Sequence, residues 1–413
     1  MLRTESDQTA ERGAPPHVAG ASAKKVRDKL LFVHCNTTGS WLCDKYAHAL
    51  QQSGANVELV GLRFDGGRNI ISGLRDQEVP QVDFGFHYQF CSRMRLLKAL
   101  ERLGVDIRKR FERRRFNRHI RDSGATRFVA ADPFALAMCV AAGRQRGSKV
   151  FYLPFEHYRD LRGVNERRRR QFIRLERDNL PYVAGALYCG DTILDDYVAA
   201  YGIADRSHVI YNGWPLAFTA RQKSLRRAIG VPQDKVIILY QGVIDESRGL
   251  TDVFAALPRV SPKACVVIIG YGQDSESVMA CANDPTLKGR VYFLPPVPQQ
   301  ELMNFTADAD IGIIPLRDIR GYRYACPGKL FEFIGAGLSL VVSDLPDLRR
   351  FVVSYSLGEV FKCGHSSELA RALCALVDSP EYREKCARNS LALHRQKVCW
   401  EAQSGKMCEI ILG

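Results

Sequence analysis

Twice along this chain of 413 residues a short apolar run ends in a glycine-bearing loop, passes into an amphipathic stretch and returns to a second apolar run. In the first instance residues 29–35 read as a strand, 36–40 as the loop Asn-Thr-Thr-Gly-Ser, the residues to about Ser53 as a helix, and Asn56 to Leu62 as the next strand. In the second, Lys235 to Gly242 is the strand, Val243 to Gly249 the loop, Leu250 to Leu257 the helix and Ala264 to Gly270 the next strand. Strands joined by helical crossovers pair in parallel, and strands covered on both faces read as unbroken apolar runs. The prediction is an α/β chain of two Rossmann-like, doubly wound domains facing each other across a cleft. Ligands bind such sheets at the carboxyl ends of the strands, so the loops there hold the candidate residues.

Composition narrows the class. Hydrophobic residues make up 46% and charged residues 25%, as in a globular protein of two ordinary domains. The 13 cysteines form no C-x-x-C pair and have no zinc spacing with histidine, so they read as reduced core thiols of a cytoplasmic protein, with no metal site expected. No apolar run is long enough to cross a membrane. Residues 1–27, polar and rich in Gly, Pro and Ser, are expected to form a disordered tail.

In the first half, Gly39 sits in a loop at a strand end. It reads either as a close approach to a ligand or as a tight turn. Phe84 to Tyr88 reads as a short strand. The net charge of +14 concentrates in residues 91–121, with Arg93, Arg95, Lys98, Arg102 and eight further Arg and Lys residues from 108 to 121. Leu96, Leu97, Leu100 and Leu103 recur there at helical spacing. Such a stretch is either a solvated helix face or a peripheral contact with the anionic inner face of a membrane. Nucleic acid is not expected, because basic residues are not interleaved with aromatics. Lys149 to Pro154 is a strand ending in Glu156 and His157. These two either position or deprotonate a hydroxyl, or cap an arginine-rich helix from Asp160 to Asp178. The turn Asn212-Gly213-Trp214-Pro215 marks the domain boundary.

In the second half, Arg248 lies at the mouth of a helix, where its fork of donors suits a phosphate. The stretch from Cys326 to Asp344 opens with Pro327-Gly328, continues as a helix from Lys329 to Ile334, stops at Gly335-Ala336-Gly337 and ends in the strand Leu338 to Val342. Lys329 therefore stands in a first turn whose amides lack partners, a place that favours an anion. Glu332 does not suit an anion and would suit a sugar hydroxyl.

Leu239-Tyr240-Gln241-Gly242, Ser247-Arg248-Gly249-Leu250, Ile268 to Gly272, Leu294-Pro295-Pro296-Val297, Ala309 to Pro315 and Pro327-Gly328-Lys329-Leu330-Phe331-Glu332 together resemble the retaining glycosyltransferases of family four, which have the two-Rossmann-domain (GT-B) fold. The resemblance implies an acceptor domain over 28–213, a donor domain over 214–395, and a last helix, 396–413, crossing back from Trp400-Glu401 onto the first domain. It implies transfer of a sugar from a UDP- or GDP-sugar to a carbohydrate or lipid-linked hydroxyl acceptor with retention, as in surface polysaccharide or glycolipid synthesis. No further cofactor is implied. By the same resemblance Gly39, Gly242, Arg248, Pro295, Val297, Tyr324, Lys329, Leu330 and Glu332 surround the nucleotide sugar. Arg248 and Lys329 neutralise the diphosphate, and Glu332 bonds the ribose. Two departures stand out. Tyr324 occupies a position where many members carry glutamate, and His157 follows Glu156 where members often place a histidine before it. Tyr324 keeps open a catalytically silent scaffold. A nicotinamide enzyme is the other alternative, although Gly270-Tyr271-Gly272-Gln273-Asp274-Ser275 lacks the third small residue of that fingerprint.

Overall fold

The computed structural model describes residues 29–35, 40–63, 80–85, 107–216 and 224–413. Gly39, the tail 1–27, residues 86–88 of the expected third strand and 91–106 of the basic stretch lie outside them.

Two wholly parallel sheets form. The first has β1 (Lys29–His34), β2 (Asn56–Arg63), β3 (Gln81–Gly85), β4 (Arg127–Ala130), β5 (Lys149–Tyr152), β6 (Gly185–Tyr188) and β7 (Ser207–Val209), in the order β3-β2-β1-β4-β5-β6-β7. The second has β8 (Val236–Gln241), β9 (Ala264–Ile269), β10 (Val291–Leu294), β11 (Ile311–Ile314), β12 (Ser339–Ser343) and β13 (Gly358–Phe361), in the order β10-β9-β8-β11-β12-β13. In each sheet the order reverses beside the first strand, β1 or β8. That reversal opens a crevice at the carboxyl ends. Every residue of β8, β9, β11 and β12 is buried, which explains their unbroken apolar character.

Three boundaries differ from the sequence reading. The arginine-rich helix runs from Glu166 to Asn179 and not from Asp160, because Asn165 caps it by accepting from the Arg168 amide. Residues 160–165 are thereby left as a projecting loop. The helix Gly328–Ala336 continues through Gly335 and ends at Gly337, which takes the left-handed conformation at φ 72°. The third strand begins at Gln81, ahead of the expected Phe84.

The C-terminal helix Trp400–Leu412 packs on the first domain. Met407, Cys408 and Ile411 join the cluster around Tyr46, Leu50 and Leu187. Arg127 donates to the Ile411 and Leu412 carbonyls at 3.1 and 3.2 Å, satisfying acceptors that the helix end leaves unpaired. Chain segments leave and return at one place, where the Trp400 amide donates to the Trp214 carbonyl at 2.8 Å. A second tie between the domains replaces a missing cap. Gly190 precedes the helix Asp191–Tyr201 and supplies no side chain. Asp347 of the second domain accepts from the Thr192 amide and hydroxyl at 3.1 and 2.6 Å. Arg350 adds ion pairs to Asp191 and Asp195.

A Cβ at Gly190 would lie 2.4 Å from Asp347 Oδ2 and 2.7 Å from Cys326 Cβ. Gly190→Ala is therefore expected to lower stability by about 1–3 kcal/mol. Gly405→Ala has nothing within 4 Å and is expected to be neutral or to stabilise by up to about 1 kcal/mol as a helix residue. Thermal unfolding checks both, and equal midpoints for the two variants would contradict this packing.

Candidate functional site

The cleft is built outward from Lys329. The helix Gly328–Ala336 is fixed by Leu330, Phe331, Phe333 and Ile334, all fully buried. That packing places Lys329 in the first turn at the end of β8. The ammonium is buried, donates to no polar atom of the described residues, and lies 4.2 Å from the centre of the Tyr240 ring. Gly242, at φ 124°, lets the amine approach, since a Cβ there would be 3.1 Å from Nζ. Burial pulls the Lys329 amine down to about 7, Arg248 acts in the same direction, and Glu332 and Asp245 oppose it. A buried cation without an anion is unfavourable unless one arrives.

Arg248 ends the single turn Glu246–Arg248, which Asp245 caps by accepting from the Ser247 amide at 2.9 Å. Its Nε donates to Asp245 Oδ2 at 3.2 Å, and its guanidinium lies 4.9 Å from the Tyr322 ring centre. Thus Lys329 and Arg248, 81 positions apart in the chain, are brought to one place by β8 and the helix beside it.

Glu332 stands one turn beyond Lys329. The Gln241 side-chain amide at the end of β8 donates to it, and Thr306 Oγ1 bonds to Gln241 Oε1 at 2.8 Å. Burial raises the Glu332 pKa, while the Gln241 bond and the charges of Lys329 and Lys45 lower it. Pro295 is exposed and Val297 half-buried in the loop after β10. Leu330 is core, packed in the second-domain cluster, so its side chain supports the helix and only its backbone can border a ligand.

On the facing domain Glu156 is exposed to the cleft. The surrounding protein raises its pKa against the pull of Arg248. His157 is turned inward and is 6% exposed. One ring nitrogen bonds Asp196 at 2.8 Å, the other is buried without a partner, and the ring stacks on Tyr324 at 4.1 Å. Burial lowers the His157 pKa, opposed by Asp196, so the ring is neutral at pH 7. Neither residue caps the following helix, a task Asn165 performs. A cavity of about 410 Å³ opens beside this stack, lined by His157, Tyr324 and the ion pairs Arg159–Asp196, Arg320–Asp160 and Arg323–Asp318.

Sequence reasoning missed Lys45. It projects from the helix Ser40–Gln52, donates to Asn212 Oδ1 and the Gly213 carbonyl at 2.7 Å each, and lies 4.0 Å from the Trp400 ring centre. Burial pulls it down to about 7, opposed by Glu332 and Glu401. No local signal marks it, because its partners lie more than 160 positions away. Asp196 was missed as well, its partners His157 and Arg159 lying 39 and 37 positions away. Gln241 was detectable as the polar residue closing an otherwise apolar strand.

The family described as Glycosyl transferases group 1 matches residues 221–392, and the Glycosyl transferase 4-like domain matches residues 41–213. A phosphatidyl-myo-inositol mannosyltransferase of Mycolicibacterium smegmatis is 27% identical over 186 residues, 44% of this chain and 46% of that protein. A D-inositol 3-phosphate glycosyltransferase of Thermomonospora curvata is 24% identical over 201 residues, 46% and 45% of the two. The chain thus spans about half the length of these curated relatives. Among solved structures, Anabaena HepE in complex with UDP superposes with a TM-score of 0.71 at 16% identity, over 92% of this chain and 98% of that one. The sucrose-phosphate synthase of Thermosynechococcus elongatus gives 0.71 at 14% identity, over 93% and 98%. At such identities the shared property is the fold.

The pH dependence of stability tests the buried ammonium. Between about pH 7 and the ordinary lysine value the unfolded chain holds a proton that the folded chain lacks, so folding strengthens as pH rises through that window. Above about pH 9 the buried thiols, whose pKa values are raised, act in the opposite sense. The urea midpoint is therefore expected to rise from pH 6 to pH 8.5, and less steeply in Lys329→Met. Parallel profiles would contradict a buried, unpaired amine.

Proposed function

The chain belongs to the group 1 glycosyl transferases with the two-Rossmann-domain fold, and from that premise we propose that it moves a sugar from a nucleoside diphosphate sugar to a hydroxyl of a carbohydrate or lipid-linked acceptor, with retention. The observation that carries this reading is the buried, unpartnered ammonium of Lys329 at a helix amino terminus, with Arg248 beside it. An ammonium with no hydrogen-bond partner, next to a guanidinium that Asp245 holds through Nε, suits a diphosphate.

Each residue then takes a role. Lys329 and Arg248 stabilise negative charge as it develops on the leaving diphosphate. Gly242 allows the phosphates to approach the backbone, as Gly39 would from the other domain. Glu332, steadied by Gln241, accepts from the ribose hydroxyls. Pro295 and Val297 border the base, with Leu330 behind them. The bond from the anomeric carbon to the phosphate oxygen breaks, and the bond to the acceptor oxygen forms on the same face. The acceptor's proton passes to the departing diphosphate, so no side chain has to keep it. Glu156 is placed to orient the acceptor hydroxyl, and His157, held by Asp196 and Tyr324, shapes the wall beside it. The cavity beside the His157–Tyr324 stack offers a place for the acceptor. UDP in the HepE structure supports a uridine donor, and the inositol-directed names of the curated relatives support a polyol acceptor.

The experiment is thermal unfolding with UDP, GDP, ADP and NAD. A nucleoside diphosphate at 100 times its dissociation constant should add about 2.7 kcal/mol. That shift is expected to disappear in Glu332→Ala. Arg248→Ala is expected to lower turnover by about 10²–10³-fold. Stabilisation by NAD alone would overturn the reading. Binding without turnover would favour a silent relative, the alternative that the Tyr324–His157 stack supports.

The acceptor side carries a finer proposal. The helix Ile107–Asp122 has eight arginines and lysines against two carboxylates, and its Phe111 is 61% exposed. Arg113 on it lowers the pKa of Arg168 on the helix Glu166–Asn179, after the larger effect of burial, so these two guanidiniums act on each other. An aromatic ring on such a basic helix suits an anionic membrane. Co-sedimentation with vesicles containing anionic lipid, released by salt, is expected. Equal binding to neutral vesicles would contradict it.

A further inference from the structure

We propose that Arg162 of the first domain is a positioning residue that sets Arg248 for the diphosphate when the cleft closes. The inference rests on the donor reading above and assigns a residue which that reading does not use.

The loop left free by the late start of the helix Glu166–Asn179 crosses the cleft. Asp160 on it accepts from Arg320 Nε at 3.0 Å and from the Gly321 amide at 3.2 Å. Gly321 is at φ 85°, and a Cβ there would sit 3.3 Å from both the Arg162 Cβ and the Asp160 carbonyl oxygen. A glycine is what allows these backbones to meet. The contact carries Arg162 to the loop that bears Arg248. Its Nη1 donates to Ser247 Oγ at 2.6 Å and to Tyr322 Oη at 2.9 Å, and lies 3.5 Å from Asp245 Oδ1. The other oxygen of the same carboxylate, Oδ2, holds Arg248 Nε at 3.2 Å. One aspartate is therefore shared by two guanidiniums, one from each domain, with the Tyr322 ring near both, 5.6 Å from Arg162 and 4.9 Å from Arg248.

The consequence is electrostatic. Asp245 is 7% exposed, and its neighbours hold it ionised. With Arg162 absent, Arg248 is the principal counter-charge of this buried carboxylate, and turning toward a phosphate would strip the carboxylate of its partner. With Arg162 in place, Asp245 keeps a cation while Arg248 engages the ligand. Closure of the domains and full use of Arg248 are thereby one event. Asp160 and Arg320 also line the cavity beside His157, so the same contact forms one of its walls.

The test compares Arg162→Ala, Arg162→Lys, Arg248→Ala and the double alanine variant in the full chain. Nucleoside diphosphate affinity is measured by calorimetry, kcat and donor KM by nucleotide release, and folding by thermal unfolding. Arg162→Ala is expected to bind the nucleoside diphosphate within a few-fold of the wild type yet to lose about 10–100-fold in kcat, as a misplaced catalytic group does. The double variant should be no slower than Arg248→Ala, because Arg162 acts only through it. Arg162→Lys, which keeps the charge, should recover part of kcat and guards against a folding defect. Unchanged kcat in Arg162→Ala, or losses that multiply in the double variant, would overturn the assignment. A wild-type chain that binds no nucleoside diphosphate would overturn the donor reading and this assignment with it, an outcome distinct from every effect confined to the Arg162 variants.

Discussion

The structure turns on a buried amine with no hydrogen-bond partner. Four fully buried side chains hold the helix Gly328–Ala336 against the second sheet, and that packing leaves the Lys329 ammonium buried over the Tyr240 ring. Isolated buried charge is among the most costly features a fold can carry. The protein meets part of that cost by lowering the amine's pKa to about 7 and part by the nearby carboxylates of Glu332 and Asp245. What remains is an attraction for an anion, directed at the crevice where the strand order of the second sheet reverses.

The rest of the site can be understood as keeping that attraction specific. Gln241 and Thr306 fix the Glu332 carboxylate, so it does not swing round to neutralise Lys329. Asp245 restrains Arg248 in the same way. Across the cleft, Asp196 and Tyr324 immobilise His157. The domains themselves are tied by polar contacts at two separate places: Asp347 at the helix after β6, and Asp160 with Arg162 at the loop after β5. Polar ties of this kind break and reform at less cost than an apolar interface, which suits a cleft that must admit a substrate and then exclude water.

Much of this was legible in the sequence, for a physical reason. Parallel buried strands must be apolar throughout, so β8, β9, β11 and β12 announce themselves, and the loops at their ends follow. Lys329 and Glu332 were readable because one helical turn places both at one strand end. The start of the helix at Glu166 was readable in principle from Asn165, a good cap, but the charge pattern from Asp160 onward obscured it. The extension through Gly335 was hidden because glycine ordinarily signals a stop, whereas here the left-handed residue is Gly337. Lys45, Asp196 and Arg162 left no trace in local sequence. Their partners lie from about forty to more than 160 residues away, and only the folded packing brings them together.

Proton uptake is the most direct measurement of the central claim. An amine with a pKa near 7 is mostly neutral at pH 8, and a bound diphosphate would restore its charge. Titration calorimetry of UDP and GDP at pH 8, in buffers of differing ionisation enthalpy, should show about one proton taken up per nucleotide bound, and close to none in Lys329→Met. Binding with no proton uptake in the wild type, or with the same uptake in Lys329→Met, would contradict the account.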